Sequence, residues 1–181
     1  MSGRIIAVVG MCGAGKSEVT RTLEEMGFAR VYFGGVTMDV LDERGLERNE
    51  KNERAVREEL RRVHGPAAFA ILLTDKINAL AEKGDVVLDG LYSWSEYKVL
   101  KESFGERLTV LSIAVDKTTR YERLAIRPIR PLTYEQTLSR DISEIENIEK
   151  GGPIAFADYT ILNNGTLIDL EKSVRMIVEK I

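Results

Sequence analysis

Gly10-Met11-Cys12-Gly13-Ala14-Gly15-Lys16-Ser17 constrains this 181-residue chain more than any other stretch. The eight residues fill the phosphate-loop pattern G-x-x-x-x-G-K-[ST]. Before them runs Ile5-Ile6-Ala7-Val8-Val9, an apolar and largely β-branched segment that reads as a strand buried on both faces. After them, from Ser17 to Met26, Val19, Leu23 and Met26 recur at helical spacing, and Gly27 closes the helix. In such a loop the glycines let the backbone wrap and point its N–H groups at phosphate oxygens. The helix that follows adds a partial positive charge at its N-terminus. Gly10 through Ser17 are therefore the expected ATP-binding residues. Lys16 is expected to reach the outer phosphates, and the Ser17 hydroxyl to hold Mg²⁺. Cys12 is the single cysteine, so no intramolecular disulfide can form. It fits the loop as a small residue or as a thiol activated by the helix N-terminus.

The rest of the chain repeats the alternation of strand and helix. Further strands are expected at Ala29–Phe33, Val86–Asp89, Leu108–Val115 and Asp158–Leu162. Helices are expected at 36–43, 47–62, 67–82, 93–104, 118–127, 133–150 and 167–181. The helix over 47–62 is strongly charged, with Val56, Leu60 and Val63 forming one narrow buried stripe. Gly151-Gly152-Pro153 and Asn163-Asn164-Gly165 read as turns, and Ser93 as an N-cap. Alternation of this kind predicts a parallel sheet covered on both faces, in a single domain spanning 1–181. His64, the only histidine, reads as a helix-end surface residue. The net charge of −3 gives no basic field for nucleic acid. The N-terminal apolar run is too short to span a membrane. The expectation is a cytoplasmic protein, monomer or homodimer, that binds ATP and a small anionic acceptor.

Three other groups bear on chemistry. Val86-Val87-Leu88 ends in Asp89, where a carboxylate beside the phosphate loop can orient Mg²⁺ and its waters. Arg123, Arg127, Arg130 and Arg140 surround the proline-punctuated connector Arg127-Pro128-Ile129-Arg130-Pro131. They suit a mobile basic lid over a transferring phosphoryl group, and equally a solvated helix face laced with ion pairs. Arg54, Arg57 and Arg61 share one face of the charged helix. They could take an anionic acceptor, or pair with the neighbouring glutamates.

The set resembles the adenylate-kinase-like nucleotide kinases. Leu88-Asp89-Gly90 is similar to the Leu-Asp-Gly of adenylate kinases, and Arg123-Leu124 with Arg127 to the R-L-x-x-R at the edge of their lid. Ala157-Asp158-Tyr159 through Asn163-Asn164-Gly165-Thr166-Leu167 resembles the closing segment of dephospho-CoA kinases, which in that family lies near the adenine. Gly65-Pro66, Val86 to Gly90, Arg140-Asp141 and Ile154 to Tyr159 together resemble the adenylate-kinase-related, dephospho-CoA-kinase-related group along nearly the whole chain. The resemblance implies a three-layer P-loop fold with sheet order 2-3-1-4-5, a helical acceptor-side insert over about 36–82 and a small lid over about 127–140. It implies ATP-dependent phosphoryl transfer, with Lys16, Asp89, Arg123 and Arg127 catalytic, Ser17 and Asp89 on Mg²⁺, and Asn164 near the nucleotide. The acceptor half departs from the family pattern. Leu91-Tyr92-Ser93 follows Gly90 where adenylate kinases place Pro-Arg, and Gly34-Gly35 stands where an acid is usual, leaving Asp39 as the nearest one. Arg54, Arg57, Arg61, Asp39, Arg130 and Arg140 are the remaining acceptor candidates. A nucleoside or deoxynucleoside monophosphate is the favoured acceptor and dephospho-CoA the second. A binding or regulatory ATPase without a small acceptor is the reading of another class.

Overall fold

The computed structural model describes residues 3–181. Strand β1 (Ile5–Val9) leads into helix α1 (Lys16–Glu25), followed by β2 (Ala29–Tyr32), α2 (Gly35–Glu43), α3 (Glu50–His64) and α4 (Ala68–Ala81). Then come β3 (Val86–Asp89), α5 (Trp94–Phe104), β4 (Leu108–Ala114), α6 (Lys117–Ile126) and α7 (Tyr134–Glu146). The short α8 (Gly151–Ala155), β5 (Tyr159–Leu162) and α9 (Leu167–Val178) complete the chain. All five strands are parallel, in the order β2-β3-β1-β4-β5. That is the order expected from the sequence.

Register explains how one strand feeds two cores. Ile5, Ala7 and Val9 of β1 face a cluster with Val86, Leu88 and the apolar sides of α4 and α5, including Ile77, Leu100 and Phe104. Ile6 and Val8 face the other way, onto Val19 and Leu23 of α1 and Leu170 and Val174 of α9. With both faces covered, the strand must be apolar throughout, as the sequence of β1 is. Because side chains alternate, Asp89 pairs in register with Val8 and shares its face. It therefore stands at the end of β3 on the α1 side of the sheet.

Local signals set the helix starts. Asn49 accepts from the Asn52 N–H to open α3. Ser93 with Glu96, Thr133 with Gln136, and Thr166 with Asp169 form capping boxes for α5, α7 and α9.

The structure corrects three details. Val63 is 64% exposed, because α3 lies outside the main body and only Val56 and Leu60 are covered. Gly151-Gly152-Pro153 is not a turn but the first part of α8, where a proline in the first turn needs no N–H partner. The helix beginning after Thr133 stops at Glu146, and the chain re-enters helix only at Gly151, after Glu149 adopts a left-handed φ of 54°. Within residues 36–82, α4 belongs to the main core, and α2 and α3 flank it. Among the described residues no helix is long and apolar enough to cross a membrane.

Candidate active site

The loop between β1 and α1 is pinned from both sides. Gly10, Gly13 and Gly15 adopt φ values of 143°, 82° and 97°, a region open to glycine and costly for other residues. Close approach reinforces the demand. A Cβ on Gly10 would lie 2.6 Å from the Ile113 carbonyl oxygen, and one on Gly13 would lie 2.8 Å from Leu124. A Cβ on Gly15 would lie 2.5 Å from Asn163 Nδ2. The buried Asn163 instead donates to the Ala14 carbonyl at 2.9 Å. From α6, the buried Arg120 donates to the Cys12 carbonyl at 2.9 Å and forms a two-armed ion pair with Asp141 of α7. Tyr121 donates to the same carboxylate at 3.1 Å. These contacts hold the loop through its carbonyls, and within the loop the Ala14 N–H donates to the Met11 carbonyl at 3.2 Å.

Lys16 donates to the Met11 carbonyl at 2.9 Å. Its pKa is lowered to about 8, chiefly because the ammonium is desolvated and next because Lys150 lies close, with Cys12, Glu144 and Asp89 pulling the other way. A lysine held among amides and another cation, poorly hydrated, is set to receive a polyanion. Asp89 is mostly buried and pairs with Arg30 of β2 at 2.5 Å. Ser17, one residue beyond Lys16, is exposed at the helix start.

On the β3 side of the loop a second group assembles. Glu144 of α7 accepts from Lys150 Nζ at 2.6 Å and from Arg140 Nε at 3.1 Å. Burial alone would raise the Glu144 pKa, but the two cations outweigh it and hold the carboxyl below its usual range. Lys150 is itself buried, with Nζ 4.9 Å from the centre of the Tyr92 ring. Burial, followed by Asp89, Tyr32 and Glu144, pushes the Tyr92 phenol up, so it stays protonated. The buried Glu96 carboxylate accepts from the Tyr92 and Ser93 N–H groups at 3.0 and 3.1 Å, which fixes the turn after Gly90.

Other sequence candidates stand elsewhere. Arg54 pairs with Glu58, and Arg57 with Glu50 and Glu53. Arg61 lies over the Phe69 ring at 5.2 Å. Asp39 is exposed on α2. Arg127 donates to the Arg130 carbonyl at 2.5 Å, inside its own connector, and Arg130 is exposed. Arg123 is half-buried on α6 and makes no ion pair among the described residues. Asn164 exchanges two hydrogen bonds with Asp116, at 3.0 Å and 2.9 Å. Arg30, Tyr92, Arg120, Glu144, Lys150 and Asn163 escaped the sequence reading. Asn163 alone had a nearby signal, in the Asn-Asn-Gly turn. The others come together only through packing.

A family model described as an AAA domain matches residues 6–149. A UPF0200 protein from Thermococcus gammatolerans is 35% identical over 181 residues, covering 98% of this chain and 95% of the relative. The chain belongs to the UPF0200 family. Among solved structures, TT1252 from Thermus thermophilus superposes with a TM-score of 0.69 at 19% identity, covering 100% of this chain and 99% of that one. A dephospho-CoA kinase from Campylobacter jejuni superposes with a TM-score of 0.58 at 16% identity, covering 98% and 97%. The fold of this UPF0200 member is that of the P-loop kinases, in agreement with the resemblance drawn from its motifs.

Proposed function

We propose that this protein transfers the γ-phosphoryl group of Mg·ATP to a small phosphorylated acceptor, a nucleoside or deoxynucleoside monophosphate. The observation that carries this reading is the cation cluster in front of the loop. Lys150 lies close enough to Lys16 to lower its pKa, and Lys150 and Arg140 share the Glu144 carboxylate. That is more positive charge than a triphosphate-binding loop needs from its lysine alone, and it suits two anionic groups meeting.

In this reading the loop amides from Met11 to Lys16 hold the phosphates and Lys16 leaves the Met11 carbonyl to neutralise them. An acceptor oxygen bonds to the γ-phosphorus as the bond to the β,γ-bridging oxygen breaks, and ADP departs. Ser17 and Asp89 are the residues that would hold Mg²⁺. No group of three or more His, Cys, Asp or Glu side chains among the described residues could cage a metal. One hydroxyl and one carboxylate suit a cation that keeps waters and binds phosphate oxygens. When bound, Mg²⁺ supplies charge neutralisation between donor phosphates. Arg30 is partly exposed, so its pairing with Asp89 can be exchanged at small cost. Arg123 and Arg127 would join the transferring group once the 127–133 connector folds inward.

The test is ADP release from Mg·ATP with a panel of acceptors. Turnover that depends on a nucleoside monophosphate is the expected result. Turnover with dephospho-CoA instead would replace the acceptor and keep the chemistry. Equal hydrolysis with no acceptor present would overturn transfer in favour of an ATPase.

A further inference from the structure

We propose that Arg140 and Lys150 form the subsite for the acceptor's anionic group, with Glu144 occupying it as an internal carboxylate until that group arrives. The inference rests on the phosphoryl-transfer reading for the nature of the anion. It goes beyond that reading in naming the subsite and its competitor.

Four observations lead there. First, Glu144 uses one oxygen on each cation, Oε2 on Lys150 and Oε1 on Arg140, so a single carboxylate spans the distance between them. A phosphate offers the same spacing of oxygens with more charge. Second, Arg140 spends only Nε on Glu144, and its two terminal nitrogens have no partner among the described residues. With half of its side chain exposed, the guanidinium fork is open to a ligand. Third, Lys150 is 2% exposed, and a buried ammonium is held where it is by its single carboxylate and the Tyr92 ring. Fourth, both cations lie on the β3 side of the loop. Tyr92 follows β3, and its phenol senses Asp89, Tyr32, Glu144 and Arg140. Asn163 and Arg120, which come from β5 and α6, brace the loop from the other side. An anion on Arg140 and Lys150 therefore stands over the ends of β2 and β3, beside Lys16 and away from the β5 turn.

The sequence supports the placement indirectly. Arg54 and Arg57, the alternative acceptor cations, are held in ion pairs with Glu58, Glu50 and Glu53 on α3 itself. Lys150 shows no such periodicity. It follows the left-handed Glu149 and precedes α8, and its backbone N–H bonds back to the Glu144 carbonyl at 3.1 Å. The break between α7 and α8 is what aims it inward.

The experiment loads the full-length protein with Mg²⁺ and an imido-bridged ATP analogue, then titrates inorganic phosphate by calorimetry at fixed ionic strength. Wild type should bind one phosphate. Lys150→Met should weaken that binding at least tenfold with the analogue still saturating the loop. Lys150→Arg should retain most of it. Glu144→Gln should move the other way, tightening phosphate severalfold, because the neutral amide no longer competes. A purely structural pair would give losses from both variants. Phosphate affinity unchanged in Lys150→Met, or weakened in Glu144→Gln, overturns the subsite, as does a wild type that binds no phosphate. The same titration on Lys16→Met without analogue measures the subsite independently. Failure of the analogue to bind wild type would count against the ATP reading and leave this second titration to decide the subsite.

Discussion

At the scale of single residues, the role proposed for Lys16 in the donor site can be tested through its ionisation. With a pKa lowered to about 8, it is protonated below that pH in the free protein and neutral above it. Its charge serves ATP only when present, so kcat/KM for ATP should hold steady below pH 8 and fall as pH rises through that value. Lys150 is a cause of the lowering second only to desolvation, so Lys150→Met should move this alkaline limb to higher pH, whereas Cys12, Glu144 and Asp89 act in the opposite sense. A pH profile of kcat/KM for both proteins checks it; coincident profiles would mean that Lys16 is not the titrating group. Lys16→Met should lower kcat about 10²–10³-fold through loss of the cation on the phosphates. It should not lower the melting temperature of the ligand-free protein. A depressed lysine pKa means that the folded state disfavours the charge, so removing it relieves a cost below pH 8. Thermal melts without nucleotide beside steady-state rates separate the two effects.

At the scale of elements, α6 and α7 are joined to the loop by one buried pair. Arg120 and Asp141 are both nearly covered, and Arg120 also carries the Cys12 carbonyl. Arg120→Met leaves Asp141 with only the Tyr121 hydroxyl. A buried carboxylate deprived of its cation costs about 3 kcal/mol. The variant should lose that much in urea unfolding and also bind ATP more weakly, because the loop loses its support from α6. An unfolding midpoint equal to that of wild type would show the pair to be neutral. Arg120 meets Gly13 and Cys12, whereas Arg123, a neighbour one turn further along the same helix, is only half-buried.

At the scale of the whole molecule, the proposed ligand site sits where the sheet order reverses, between β1 and its neighbours β3 and β4. Binding there bridges the loop, α1 and α7, and should stabilise the fold as a unit. Mg·ATP at a hundred times its Kd adds about 2.7 kcal/mol. For a domain of this size that raises Tm by roughly 5–10 °C. Differential scanning fluorimetry with ATP, with and without EDTA, checks the expectation; no rise at saturating Mg·ATP would sink it. The two faces differ in the polar groups they carry as well as in packing. The α1–α9 face carries Asp89 and Arg30, and the α4–α5 face carries the support for Tyr92 through Glu96.

Much of this was legible in the chain alone, for physical reasons. A short, β-branched apolar run such as Ile5–Val9 reads as a strand buried on both faces, and glycines between a strand and a helix read as a loop able to wrap phosphate. Order along the chain and local backbone chemistry therefore indicated the parallel sheet, the glycine loop after β1, the Ser93 cap and the position of Asp89 at the end of β3. What the tertiary structure decided is which cations stand beside the loop. Arg54, Arg57, Arg120, Arg140 and Lys150 have no distinguishing local pattern, since a charge reads the same whether it pairs with a neighbour four residues away or with a carboxylate across the fold. The break between α7 and α8 brings Lys150 onto Glu144 and the Tyr92 ring, whereas Arg54 and Arg57 of α3 pair with glutamates of their own helix. Charges are assigned by long-range approach, and only the folded chain brings those distances about.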